Sequence, residues 1–123
     1  MALPQLNVRR HDHDTRALIT LAGEIDLATA PLVRAAVAAC LRDGIRSVDV
    51  DLTGVTFCDA SGLNAFLLAS RLATEAGTTL RLHHPPPAMT RILDITGSGF
   101  LLDSFHAARQ SERRTPAVPT GAP

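Results

Sequence analysis

The chain has 123 residues, enough for one domain and too few for two. Hydrophobic residues make up 46% but aromatics only 3%, with no Trp or Tyr, so the core must be aliphatic. Twelve basic residues, all arginine, balance twelve acidic ones. This neutral chain with dispersed arginines lacks the concentrated basic field that nucleic-acid binding needs, and Arg9-Arg10 and Arg113-Arg114 read as solvated surface near the ends.

No apolar run is long enough to span a bilayer, and the opening MALPQLNVRR has no signal-peptide core, so the expected location is the cytoplasm. Cys40 and Cys58 are far apart, form no C-x-x-C motif, and read as small buried apolar residues.

Residues 6–10 and 16–22 are strand candidates. His11-Asp12-His13-Asp14-Thr15 between them is a polar link, which predicts an antiparallel hairpin. His11 and His13 share one face of an extended segment, an arrangement that metal ligands can use. No second cluster completes a coordination sphere, and a solvated hairpin tip is the simpler reading.

Gly23-Glu24-Ile25-Asp26 reads as a loop. A helix follows, with Thr29 as N-cap and Pro31 in the first turn, where its missing N–H costs little. Val33, Ala36, Val37, Cys40 and Leu41 form one apolar stripe, and Gly44 ends the helix.

Residues 45–52 predict a strand. Asp49 and Asp51 alternate with apolar neighbours, so one face of the sheet is at least partly wet and helices cover mainly the other. Asp51 falls at the expected C-terminal end of this strand, the edge where functional groups gather in open α/β sheets. Thr53-Gly54 then signals a turn before the short apolar run 55–58.

Asp59-Ala60-Ser61-Gly62 leads into a helix that starts from Leu63 and runs to about Glu75, with Gly77 closing it. Leu63, Phe66, Leu67, Ala69, Leu72, Ala73 and Ala76 supply a broad apolar face. The first half, 65–69, is apolar almost all round, which fits either deep burial or a protein interface.

Residues 79–83 form a short strand, stopped by His84-Pro85-Pro86-Pro87. Pro87 opens a helix through Ile95 with the stripe Met89, Ile92, Leu93 and Thr96, ended by Gly97. Phe100, Leu102 and Phe105 suggest a last short element. From His106 the chain is polar and aperiodic, which predicts a disordered tail at 106–123 after a domain at 1–105. The order is a mixed α/β domain with an N-terminal hairpin.

Ser61 admits three readings. The simplest is helix capping, with Asp59 as cap and Ser61 an ordinary first-turn residue. The second is a nucleophile. The G-x-S-x-G elbow is absent, however, since Asp59 and Leu63 flank Ser61 at those positions; His83 and His84 end a neighbouring strand and could supply a base, but no oxyanion-hole loop is evident. The third is a phosphoacceptor. A first-turn serine presents its hydroxyl beside free N–H groups, and the helix terminus would offset an added phosphate, with Asp59 and Asp51 opposing it. A partner with an apolar or acidic face would then be repelled.

Three segments together resemble STAS-domain proteins of the anti-sigma factor antagonist type. They are the run from Gly23 to Pro31, the run from Asp51 to Leu63, and Leu80-Arg81-Leu82 with Pro85-Pro86-Pro87-Ala88 and the run from Ile92 to Gly97. The resemblance implies a mixed sheet of four or five strands with helices mainly on one face.

It further implies that Ser61 is phosphorylated by a partner that is both anti-sigma factor and serine kinase. The unphosphorylated form binds that partner and releases a sigma factor; the phosphorylated form does not. Asp26, Asp59, Ala60, Ser61, Gly62 and Asn64 would form the partner-binding surface, with no cofactor, no metal, no membrane, no direct nucleic-acid contact and a monomer when free. Ala60 departs from a position where many relatives carry a hydroxyl, and Asn64 from one where a small residue is usual. The alternative within the family is a scaffold or ligand-binding module without a phospho-switch.

Overall fold

In the computed structural model, which describes residues 5–97, β1 (Leu6–His13) and β2 (Arg16–Ile25) pair antiparallel. The ladder runs from Leu6↔Gly23 to His13↔Arg16, so the link is only Asp14-Thr15 rather than residues 11–15. Asp14 takes a positive φ of 56°, which a short polar side chain tolerates in a tight turn. His11 and His13 therefore sit on a strand. Gly23, Glu24 and Ile25, expected as a loop, also extend β2: the amide of Glu24 donates to the carbonyl of Gln5 at 2.8 Å.

Next come α1 (Ala30–Arg42), β3 (Ser47–Cys58), α2 (Ala60–Glu75), β4 (Thr79–His83) and α3 (Pro87–Thr96). The sheet order is β1-β2-β3-β4, with β2, β3 and β4 mutually parallel. The expected strand at 45–52 is a 12-residue strand, and Thr53-Gly54 is no turn. Thr20 pairs with Asp51 but Ala22 with Gly54, and Gly23 with Val55 but Glu24 with Phe57, so β3 accommodates an extra residue at each step. Such bulges bend a strand without ending it. A Cβ on Gly54 would lie 2.9 Å from that of Ala22, so glycine here permits the close approach of β2.

One aliphatic cluster unites one sheet face with all three helices. Ala17, Ile19 and Leu21 of β2, Val48, Val50 and Leu52 of β3, and Leu80 and Leu82 of β4 are buried on it. Val33, Val37 and Cys40 of α1, Leu63, Phe66, Ala69 and Ala73 of α2, and Met89 and Leu93 of α3 pack against them. The helices thus cover one face of a mixed sheet that begins with a hairpin, as expected. Two side chains assigned to the α2 core stripe, Leu72 and Ala76, are instead exposed. Among the described residues no helix is long and apolar enough to cross a membrane. Residues 100–105 and the tail from His106 lie outside the described residues.

The opposite sheet face is polar. His83 Nε2 meets Asp49 Oδ1 at 2.8 Å across β3 and β4, with Arg16 Nη2 at 3.7 Å from Asp49 Oδ2. Asp51 accepts from the hydroxyl of Thr53 at 2.6 Å and from its amide at 3.0 Å. These bonds hold the Asp51 carboxyl below the usual range, against a smaller opposing effect of burial.

A depressed carboxyl contributes stability that is present above its unfolded value of about 4 and is lost as pH falls through the folded one. Asp51→Asn should therefore flatten the acid limb of melting temperature against pH below roughly pH 4. Superimposable limbs would show that the Thr53 bonds do not contribute.

Candidate functional site

β2 and β3 leave the sheet side by side. Ile25 pairs with Cys58, and the amide of Asp59 donates to the carbonyl of Ile25 at 3.2 Å. Each strand is followed at once by an aspartate, Asp26 and Asp59, and each aspartate organises the start of a helix.

After β2, Asp26 Oδ1 accepts from the amides of Ala28 at 3.0 Å and Thr29 at 3.1 Å. The Asp26 amide donates to Thr29 Oγ1 at 2.9 Å, and the Thr29 hydroxyl donates back to the carbonyl of Glu24 at 2.8 Å. Thr29 occupies the N-cap position of α1, as expected, but makes no side-chain cap bond; buried, it faces the preceding turn. The Asp26 side chain instead holds the two amides just before the helix, and the first helical amide, of Ala30, donates to the Asp26 carbonyl at 2.8 Å. Pro31 lies in the first turn, and Leu27 protrudes with 78% of its surface exposed.

After β3, Asp59 is the N-cap of α2 in extended conformation. Its Oδ1 accepts from the amides of Ser61 at 2.9 Å and Gly62 at 3.1 Å. The helix starts at Ala60, three residues before the expected Leu63, because this carboxylate satisfies the first-turn donors. Gly62 is buried: a Cβ there would lie 2.6 Å from Ile25 Cγ2 and 2.7 Å from Cys58 Sγ.

The first turn of α2 is thus pressed onto the ends of β2 and β3. Ser61 is left half-buried, with Ala60 and Asn64 exposed beside it. Among the described residues the Ser61 hydroxyl enters no hydrogen bond. Burial pushes the Cys58 thiol up to about 11, so it is packing material rather than a nucleophile.

The structure brings Asp26, Asp59, Ala60, Ser61, Gly62 and Asn64 to one end of the sheet. It does not bring Asp51 there. Asp51 pairs with Thr20 and His83 in mid-strand, about 20 Å short of Cys58 at ~3.3 Å per residue. The expectation that Asp51 lies near Ser61 is corrected, since it assumed that the strand ended at Leu52. His83, the candidate base, is similarly remote and holds Asp49.

The sequence left open whether the apolar start of α2 is buried or exposed, and the structure divides it. Ala60, Asn64, Leu68 and Leu72 recur every four residues on the exposed side of α2, with Leu68 and Leu72 37% and 47% exposed. Phe57 is 50% exposed one residue before the end of β3. Four-residue spacing from Asn64 is the signal that marks this stripe.

The family model described as "Mlab, STAS domain" matches residues 7–103. The anti-sigma-B factor antagonist of Bacillus subtilis (strain 168) is 26% identical over 98 residues, covering 80% of this chain and 87% of that protein. The crystal structure of an anti-sigma factor antagonist from Mycobacterium paratuberculosis superposes with a TM-score of 0.70 at 24% identity, covering 83% of this chain and 87% of that one.

The anti-sigma factor antagonist SpoIIAA in its unphosphorylated form gives a TM-score of 0.69 at 16% identity, over 91% of this chain and 98% of that one. The phosphorylated form of SpoIIAA, from Bacillus, gives 0.62 at 22% identity, over 85% and 99%. At these identities the solved structures establish a shared fold. With most of its length matched by the family model, the chain belongs to the STAS domain family.

Proposed function

We propose that this protein is a non-enzymatic antagonist that binds an anti-sigma factor with serine kinase activity while Ser61 is unmodified, so that a sigma factor is released for transcription. Phosphorylation of Ser61 ends the interaction. The observation that carries this reading is the presentation of Ser61: its amide is fixed by Asp59 and its hydroxyl is unengaged, on a helix whose exposed side is lined by Asn64, Leu68 and Leu72. The names of the relatives support the class of partner.

In the modification, Ser61 Oγ attacks the γ-phosphorus of ATP held by the kinase. The Oγ–P bond forms, the bond to the bridging oxygen of ADP breaks, and the hydroxyl proton passes to a base on the kinase. Asp26, Asp59, Ala60 and Asn64 flank the acceptor and orient the partner, while buried Gly62 sets the approach of the helix to the sheet. On this reading the protein acts in the cytoplasm and is a monomer when free.

The test incubates the protein with ATP and candidate anti-sigma factor kinases from the same genome, then locates phosphate by mass spectrometry. Phosphate on Ser61 alone is expected; phosphate on another residue, or on none, sinks the switch and leaves a scaffold or ligand-binding module. Ser61→Ala should bind the partner and resist inactivation. Ser61→Asp should bind at least about tenfold more weakly, a change of about 1.4 kcal/mol. Esterase activity that disappears in Ser61→Ala would revive the nucleophile.

A further inference from the structure

The first turn of a helix ordinarily favours an anion, which led to the expectation that the start of α2 would offset a phosphate on Ser61. In the folded protein most of that position is already taken, and among the described residues only the Ala60 amide of this turn is left without an acceptor. Asp59 Oδ1 accepts from both the Ser61 amide at 2.9 Å and the Gly62 amide at 3.1 Å. The next amide, of Leu63, donates to the Asp59 carbonyl at 3.0 Å. The turn has little freedom to rearrange, because Gly62 is wedged against Ile25 and Cys58.

The two chain segments that build the site offer no cation. Residues 24–32 and 53–70 contain no arginine, lysine or histidine. Their ionisable side chains other than Cys58 are acidic: Glu24 and Asp26 from the end of β2 and the turn after it, and Asp59 from the start of α2.

We propose that Asp59 keeps the helix terminus when Ser61 is phosphorylated, so that the phosphate stays outside it, uncompensated, and its charge adds to that of Asp59. Asp59 is then a positioning residue with two linked effects. In the unmodified protein it fixes the acceptor's backbone. In the modified protein it denies the phosphate the Ser61 and Gly62 amides, so most of the added charge faces the partner. This inference rests on Ser61 being the modified residue for its biological meaning, but not for its test.

The test places phosphoserine at position 61 by genetic encoding, which needs neither kinase nor partner, and follows the phosphorus resonance of the full chain through pH. A carboxylate roughly 6 Å from the phosphate in water opposes its second ionisation, raising that pKa by about half a unit. The reference is a phosphoserine peptide spanning residues 57–65 and carrying Asp59→Asn, so that it lacks the carboxylate. The folded protein should titrate above it, and Asp59→Asn should bring the value back towards the peptide's, because asparagine caps the same amides without charge. Raising the salt should shrink the difference.

A phosphate that instead displaced Asp59 and took the amides would titrate at or below the peptide, and that result overturns the proposal. So does a titration unchanged by Asp59→Asn. Asp59→Ser, a second uncharged cap, repeats the comparison should the asparagine variant fold poorly. Failure to find a kinase for Ser61 would defeat the functional reading while leaving this titration intact.

Discussion

Phe66→Ala is expected to destabilise the protein by about 3–5 kcal/mol, the usual cost of deleting a buried aromatic ring. Phe66 is fully buried and is among the largest side chains in that state. It lies in the second turn of α2, within the cluster formed with Ile19, Leu21, Val50 and Leu52 of the sheet. Among the described residues the core around it is aliphatic and offers no second ring to fill the space. A domain of this size has a total stability of about 5–15 kcal/mol, so the variant approaches the limit of folding at 37 °C. Urea denaturation should show a lower midpoint with an unchanged slope. A midpoint within error of the parent's would mean that α2 is not anchored through Phe66.

Gly62→Ala should cost about 2–3 kcal/mol, near the top of the range for overpacking. The added methyl would lie 2.6 Å from Ile25 Cγ2 and 2.7 Å from Cys58 Sγ. Both neighbours are buried side chains at strand ends, so the helix must lift or the strands must part. Lifting α2 stretches the bonds from the Ser61 and Gly62 amides to Asp59, so the substitution should also disturb presentation of the acceptor. Amide hydrogen exchange reads this directly: protection of the Ser61 and Gly62 amides is expected to fall more than that of Phe66. Gly44→Ala makes a useful contrast. That position has a positive φ of 76° but no atom within 4 Å of the added Cβ, so its cost is backbone strain alone and should leave the site untouched. Equal exchange at Ser61 in both variants would show that Gly62 does not control the acceptor.

Much of the architecture was legible in the sequence because it depends on local rules. The stripe of Val33, Val37 and Cys40 identifies one face of α1 whatever it packs on, and alternation from Val48 to Leu52 identifies a strand with one wet face. Asp59 followed by a helical run identifies a cap, because the cap and its amides are neighbours in the chain. Glycine was the recurrent ambiguity. Gly54 reads as a turn but marks a bulge, and Gly23 reads as part of a loop but sits in a strand; both allow a neighbouring strand to come close, which no local pattern encodes. The misplacement of Asp51 follows from Gly54: once β3 continues to Cys58, Asp51 moves from the strand's end to its middle.

The stretch from Asp59 to Asn64 shows where the two kinds of information divide. The sequence alone determined that a serine would follow an acidic cap at the start of an apolar helix, beside a strand, since each of these is a property of adjacent residues. Only the tertiary structure decided that Asp26 lies at the same end as Asp59, through the pairing of Ile25 with Cys58. It also decided that Gly62 faces inward while Asn64, Leu68 and Leu72 face outward. The reason is register: the faces of a strand or helix are fixed locally, but which face meets which depends on pairing and packing between residues distant in sequence, and two bulges in β3 shift that pairing for every residue beyond them.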